Sequence, residues 1–146
     1  MIDSVASRAR QAGFASAVAQ IGSGTIRCFT GNLDHDGGYA AGRALLTEPE
    51  LPDALFCVNE LTAIGLIDAL RIEGGCDIPG DLQVIGFDNI PAARWPAYRL
   101  TTIDQDVDDM AEEAVRLLDR PAAPITPQRT AFRLIEGGTT RHPRHS

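Results

Sequence analysis

Two polar pairs stand where apolar runs end. The run Ala54–Val58 (ALFCV) delivers Asn59-Glu60, and the run Leu82–Phe87 (LQVIGF) delivers Asp88-Asn89. Short continuous apolar runs of this kind read as strands covered on both faces, the pattern of a parallel sheet. In open parallel α/β sheets, ligands sit beyond the carboxyl ends of the strands. Asn59 and Asp88 are therefore expected side by side at that edge. An amide donates and accepts, and an ionised carboxylate accepts at both oxygens, so the pair suits a ligand rich in hydroxyl or amide groups. The alternative is that each residue merely caps the helix or turn that follows it.

Other arrangements offer less chemistry. Asp34-His35-Asp36-Gly37 has the look of a calcium loop, but the fifth position is Gly38 and the twelfth is Leu45, so ligands are missing where an EF-hand needs them. A loop with a helix cap at Asp36 is the better reading. Gly22-Ser23-Gly24 follows a helix rather than a strand and reads as a helix stop, not a dinucleotide fingerprint. Asp106, Asp108 and Asp109 lie in a first helical turn, where the helix dipole favours acids without any catalytic role. No Ser or Cys has a base at a catalytic spacing, and His35, His142 and His145 fall in a loop and in the tail. Cys57, inside an apolar strand, reads as an inert core thiol. No catalytic residue, metal site or cofactor is expected.

The elements that must position Asn59 and Asp88 alternate between helical and strand patterns, as in a parallel α/β sheet flanked by helices. Phe14, Ala17, Val18 and Ile21 recur at helical spacing in a helix from Ser4 to about Ile21. Ile26–Thr30 (IRCFT) reads as a short strand, and about Gly37 to Thr47 as a helix. A third helix covers about Glu60 to Glu73 and stops at Gly74-Gly75. Asp88–Arg99, with Pro91 and Pro96, is irregular; Leu100–Gln105 (LTTIDQ) is extended. The last clear helix starts near Asp106, with Val107, Met110, Ala111, Ala114, Leu117 and Leu118 on one stripe and Asp104 or Asp106 as its cap. Pro121 and Pro124 end it, Arg129–Ile135 alternates like a strand, and the tail from Thr139 is expected to be loose.

Composition narrows the function classes. The chain has 146 residues, enough for one core, and a net charge of −7. Its basic residues are all arginines and are scattered, whereas a phosphate-gripping surface concentrates positive charge. Direct nucleic-acid binding by this chain is therefore not expected. No apolar stretch of about 18 residues is present to span a membrane, and the N-terminus lacks the pattern of a secretory signal. Cys28, Cys57 and Cys76 are odd in number and without a CxxC pair, which fits reduced thiols and a cytoplasmic location.

Pro52-Asp53-Ala54, the apolar strand, Asn59, Ala63-x-Gly65, Ile78-Pro79-x-Asp81, Val84-Ile85-Gly86-Phe87-Asp88 and Leu100-Thr101-Thr102-Ile103 follow one another as an ordered set of short elements. That set resembles the C-terminal part of LacI/GalR-family transcription regulators. Upstream, Ser4-x-x-x-Arg8 followed by Gly13-Phe14 resembles the family's S-x-x-x-R-x-x-G-[FW] segment, and Gly31–Tyr39 its G-D-[FW]…G-Y element. The resemblance runs almost unbroken to Leu118. It implies the C-terminal lobe of a periplasmic-binding-protein-like type I fold plus crossover elements, as a single effector-binding fragment, 1–146. Residues 1–105 and 129–140 would form the lobe, and 106–120 a crossover helix whose apolar stripe normally packs on an N-terminal lobe. That stripe is expected to be covered by another copy of the chain, or else the helix to be poorly ordered.

The implied function is small-molecule sensing, of a sugar or sugar-like effector, and dimerisation within a DNA-binding repressor. The helix at 60–73 is a candidate dimer surface, the alternative being that its apolar side faces the sheet. DNA contact is expected only through a helix-turn-helix domain of the intact parent. The family's ligand-contacting positions fall on Ser4, Arg8, Asn59, Asp88 and Gln105. Three departures touch the pocket: Asn59-Glu60 replaces the usual Asn-Asp, Leu33 stands for a common aromatic, and Val107 takes an often aromatic position. Trp95 or Tyr98 is left to supply a ring, so Leu33, Trp95 and Val107 are the pocket-wall candidates. Two other classes stay open, a periplasmic-type sugar-binding protein of a transport system and an enzyme on a flavodoxin-like sheet.

Overall fold

In the computed structural model, which describes residues 4–22, 24–118 and 131–141, the two apolar runs are neighbouring strands. β1 (Ala54–Phe56), β2 (Gln83–Phe87), β3 (Thr101–Gln105) and β4 (Phe132–Ile135) form one sheet in the order β1-β2-β3-β4. β1, β2 and β3 run parallel, with Leu55 opposite Val84 and Gly86 opposite Thr102. β4 returns antiparallel, with Leu134 opposite Ile103. The carboxyl ends of all three parallel strands consequently gather at one edge, the edge at which Asn59, Asp88 and Gln105 leave the sheet.

Among the described residues four helices accompany the strands: α1 (Val5–Ile21), α2 (His35–Leu45), α3 (Glu60–Ile72) and α4 (Val107–Leu118). A short 3-10 turn, Pro91–Arg94, occupies the irregular stretch after β2. α1 stops where the glycine predicts, at Gly22 with φ 77°, whose N–H returns to the carbonyls of Val18 and Ala19. α2 begins earlier than its apolar pattern suggests. Asp34, already extended, caps it by accepting from the Gly37 N–H at 2.7 Å, so Asp36 is a first-turn acid rather than the cap. Asp106 caps α4 by accepting from the Asp109 N–H.

α3 is buried around most of its circumference, because it lies between the sheet and α2. Ala63, Leu66, Ile67 and Leu70 join Leu45, Cys57, Leu82, Val84 and Leu100 in the core. Each large side chain so buried stabilises the fold by about 1.5–3 kcal/mol. Of its large apolar residues, Leu61 and Ile72 stay exposed, so the sheet-facing alternative describes most of this helix. α2 and α3 approach backbone to backbone. A Cβ on Gly65 would lie 2.0 Å from the His35 carbonyl oxygen, and one on Gly38 would lie 2.2 Å from that of Thr62.

Two further expectations are corrected. Ile26–Thr30 is exposed and pairs with no strand among the described residues. It and β1 both line a cavity of about 700 Å³, and no ladder joins them. The tail is not loose where it is described. Thr139 is wholly buried; its hydroxyl accepts from the Thr101 N–H and donates to the Val84 carbonyl, while its own carbonyl takes the Val84 N–H. The hydroxyl supplies hydrogen bonds that the polar composition of the tail does not advertise. Ser23, Pro121, Pro124, Arg129, His142 and His145 lie outside the described residues. α4 buries no residue: Val107, Met110, Val115 and Leu118 are exposed in the single chain, while Arg116 pairs with Glu112 and Glu113 along the helix.

Candidate functional site

Asp88 is the centre of the polar group at the carboxyl edge. It follows β2, the strand between β1 and β3, and its N–H donates to the Ile103 carbonyl at 2.9 Å. Its Oδ1 accepts from Gln105 Nε2 at 2.6 Å and from Arg10 Nη2 at 2.9 Å. Arg10 also donates through Nη1 to the Val58 carbonyl at 2.6 Å, and its guanidinium lies 3.9 Å over the ring of Phe87. Three elements (α1, the end of β2 and the end of β3) thus bring a cation, an amide and a carboxylate together. Oδ2 of Asp88 has no hydrogen-bond partner among the described residues. The side chains of Arg10 and Asp88 are 19% and 32% exposed, sheltered yet reachable from solvent.

Arg10, not Arg8, is the arginine that reaches Asp88. Two residues along a helix turn the side chain by roughly 200°, so only one of the pair can face the sheet. The sequence carries a signal for this: in R-x-x-G-[FW], counting back from Gly13-Phe14 lands on Arg10 and places Ala6 at the serine position. Phe14 supports the same face, stacking on Phe56 at 5.0 Å, and Phe56 meets Phe87 edge-on.

The remaining candidates are dispersed. Ser4, Arg8 and Leu33 line the cavity between α1, the segment after it and β1, as does Val58, whose carbonyl takes Arg10. Its wall is largely apolar, with Phe14, Val18, Leu55 and Leu66. Asn59 behaves as the capping alternative has it. Its Oδ1 accepts from the Thr62 N–H at 3.1 Å, and its Nδ2 donates to the Leu33 carbonyl at 2.8 Å. Trp95 lies beside Tyr98 after the 3-10 turn, 57% exposed, and Val107 opens α4 with its side chain exposed; neither lines the cavity.

Glu60 turns inward. Its carboxylate is buried and accepts from the Thr102 hydroxyl and the Ile90 N–H. Burial raises its pKa above the ordinary carboxylate value; the hydrogen bonds from Thr102, Ile90 and Asn89 oppose that rise, and the charge of Asp88 adds to it. Burial also pushes the Cys57 thiol up to about 12, which leaves it a poor nucleophile. On the far side of α3, His35 Nε2 meets Asp68 Oδ2 at 3.0 Å, and Tyr98 donates to the same oxygen. Among the described residues no three His, Cys, Asp or Glu side chains gather as metal ligands, and no helix is long and apolar enough to cross a membrane.

Polar side chains converging beyond the carboxyl edge of a parallel sheet stand where open α/β folds bind ligands. The family model of the periplasmic binding protein-like domain matches residues 3–140, and the chain belongs to this family. It is similar to the HTH-type transcriptional repressor PurR of Haemophilus influenzae (strain PittEE), 37% identical over 80% of this chain and 35% of that protein. Among solved structures it is similar to a LacI transcriptional regulator from a Rhodococcus species, at 33% identity and a TM-score of 0.75, over 90% of this chain and 50% of that one. It is also similar to a LacI family transcriptional regulator from Enterococcus faecium with bound ribose, at 28% identity and a TM-score of 0.81, over 92% and 51%. The chain therefore spans about a third of the length of such PurR relatives and about half of these solved chains.

Proposed function

We propose that this chain is the effector-sensing part of a DNA-binding transcription regulator, and that its effector is a small sugar or sugar-like polyol held at the carboxyl ends of β1, β2 and β3. The observation that carries this reading is the convergence of Arg10 and Gln105 on one oxygen of Asp88. A ligand hydroxyl can donate to the other oxygen, while the guanidinium and the amide offer N–H groups to neighbouring ligand oxygens. Ser4, Arg8 and Leu33 extend the site along the cavity wall. The ribose bound to the Enterococcus faecium regulator supports a polyol. DNA contact is assigned to a further domain of the parent, since the net charge of −7 and the scattered arginines of this chain provide no phosphate-binding face. Effector binding would bias the parent between states of different DNA affinity, which requires that the effector bind those states unequally. Self-association as a homodimer, with α4 or the exposed Leu61 side of α3 at the contact, belongs to the same proposal.

The test is a thermal-shift titration with pentoses, hexoses, sugar phosphates, nucleosides and purines, run in parallel on Asp88→Asn. At one hundred times its dissociation constant a ligand stabilises by about 2.7 kcal/mol. Saturable stabilisation by a sugar that is lost in Asp88→Asn is the expected result. A sugar that stabilises both proteins equally would move the site away from β2, and stabilisation by a purine alone would replace the polyol.

A further inference from the structure

The turn that carries Asp88 is the strained part of this edge. Asp88 has φ 107° and Asn89 has φ 54°, both in the left-handed region that residues with a Cβ enter only against steric resistance. Such a turn persists only when its surroundings hold it. The holding group is Glu60, first residue of α3 and 1% exposed. Its Oε2 accepts from the Ile90 N–H at 2.5 Å, and the Asn89 N–H also interacts with its carboxylate. Its Oε1 accepts from the Thr102 hydroxyl at 2.5 Å, and the residue after Thr102 is Ile103, whose carbonyl takes the Asp88 N–H. One side chain therefore grips the peptide groups that follow Asp88 and the strand that flanks it.

Length matters in this arrangement. Gly86 makes the room, since a Cβ there would lie 2.9 Å from Glu60 Cγ. An aspartate would stand back by one C–C bond, roughly 1.5 Å, and both contacts would open beyond hydrogen-bonding range. We propose that Glu60 is the positioning residue for Asp88: its buried carboxylate fixes the left-handed Asp88-Asn89 turn against β3, so that the Asp88 carboxylate faces Arg10 and Gln105. Glu60 touches no effector and acts through Asp88. The proposal rests on the reading of this edge as the effector site, and its test has one readout that needs no effector.

The experiment compares the full chain with Glu60→Asp, Glu60→Gln and Thr102→Val. The first readout is the NMR signal of the Arg10 guanidinium, assigned with Arg10→Lys, which reports its pairing with Asp88. The second is D-ribose affinity by calorimetry. Glu60→Asp should lose the slowly exchanging Arg10 signal and weaken ribose binding about tenfold, the loss of one charge-assisted hydrogen bond. Thr102→Val, nearly isosteric, should act in the same direction. Glu60→Gln keeps an acceptor for the Ile90 N–H and offers a donor to the Thr102 oxygen, so it should restore the signal and bring affinity to within about threefold. A purely structural Glu60 would lower stability without moving either readout. An unchanged Arg10 signal in Glu60→Asp overturns the proposal, and if that variant does not fold, an unchanged signal in Thr102→Val does so. If the parent chain does not bind ribose, the polyol reading loses that sugar and the Arg10 signal alone decides the role of Glu60.

Discussion

Replacing Arg10 with alanine tests how α1 is fastened to the sheet. No residue of α1 is buried. Its described attachments include the stack of Phe14 on Phe56 at 5.0 Å, the two hydrogen bonds of Arg10, the Arg10 guanidinium over Phe87, and the hydrogen bond from Gln11 Nε2 to Cys28 Sγ at 2.9 Å. With the two side chains 19% and 32% exposed, solvent screens the Arg10–Asp88 pair, and it is worth about 1 kcal/mol. The hydrogen bond to the Val58 carbonyl contributes about 1 kcal/mol more. The guanidinium over Phe87 adds about 0.5 kcal/mol. Asp88 keeps Gln105 and rehydrates in the variant, which trims the sum to about 2 kcal/mol, or a factor of about 30 in the docking equilibrium of the helix. Native-state hydrogen exchange reads that factor directly. The amides of α1 should exchange about 30-fold faster in Arg10→Ala, while those of α3 keep their rates. Equal loosening of α1 and α3, or none of α1, in Arg10→Ala would refute the account of how the helix is held.

Further outcomes follow from other contacts. The pKa of His35 is raised chiefly by its hydrogen bond to Asp68, against desolvation and with help from Asp36, so its contribution to stability is complete below the ordinary value of 6.5 and fades as pH rises through the raised one. The difference in unfolding midpoint between the parent and His35→Gln should thus be larger at about pH 5.5 than at about pH 8.5. Glu60 has the opposite consequence for a carboxyl: the native chain holds that proton more tightly than the unfolded one, so stability falls as pH climbs from 4.5 through the raised value. Urea titrations of Glu60→Gln should lack that part of the slope. Gly65→Ala should lower the urea midpoint at unchanged m by about 2 kcal/mol in stability, because the clash with the His35 carbonyl outweighs the gain in helix propensity. Under the proposed self-association, Met110→Glu on the exposed stripe of α4 should shift sedimentation toward the monomer and make the unfolding midpoint independent of protein concentration.

The strands, the helices and Asp88 are legible because each follows from a local pattern: an apolar run, a helical repeat, a polar residue where the run stops. Gln105 comes through the family resemblance and lands on Asp88. Arg10 is harder, since two arginines stand on one helix and only the spacing to Gly13 separates them. Asn59 shows the limit of reading a polar residue at a strand end, because capping and ligand binding ask for the same side chain, and its amide caps α3 and donates to the Leu33 carbonyl. The inward turn of Glu60 depends on the space at Gly86, a contact between residues far apart in sequence. Ile26–Thr30 has the composition of a strand, but a strand exists only with a partner, and no sequence pattern says whether β1 stands close enough.

The burial of Thr139 has a consequence for the order in which the chain is made. Its hydroxyl reaches back 55 residues to Val84, and the Arg141 N–H reaches back 58 to the Gln83 side chain. While the chain is being synthesised, β1, β2 and β3 can pair as they emerge, but the Val84 N–H and carbonyl and the Thr101 N–H, the groups that bond Thr139, have only water for partners until residue 139 exists. Closure at such separation is slow, and an unpaired strand segment is the kind of surface that recruits chaperones or other nascent chains. A pause in translation between β3 and β4 would prolong that exposure, whereas one before β2 would not.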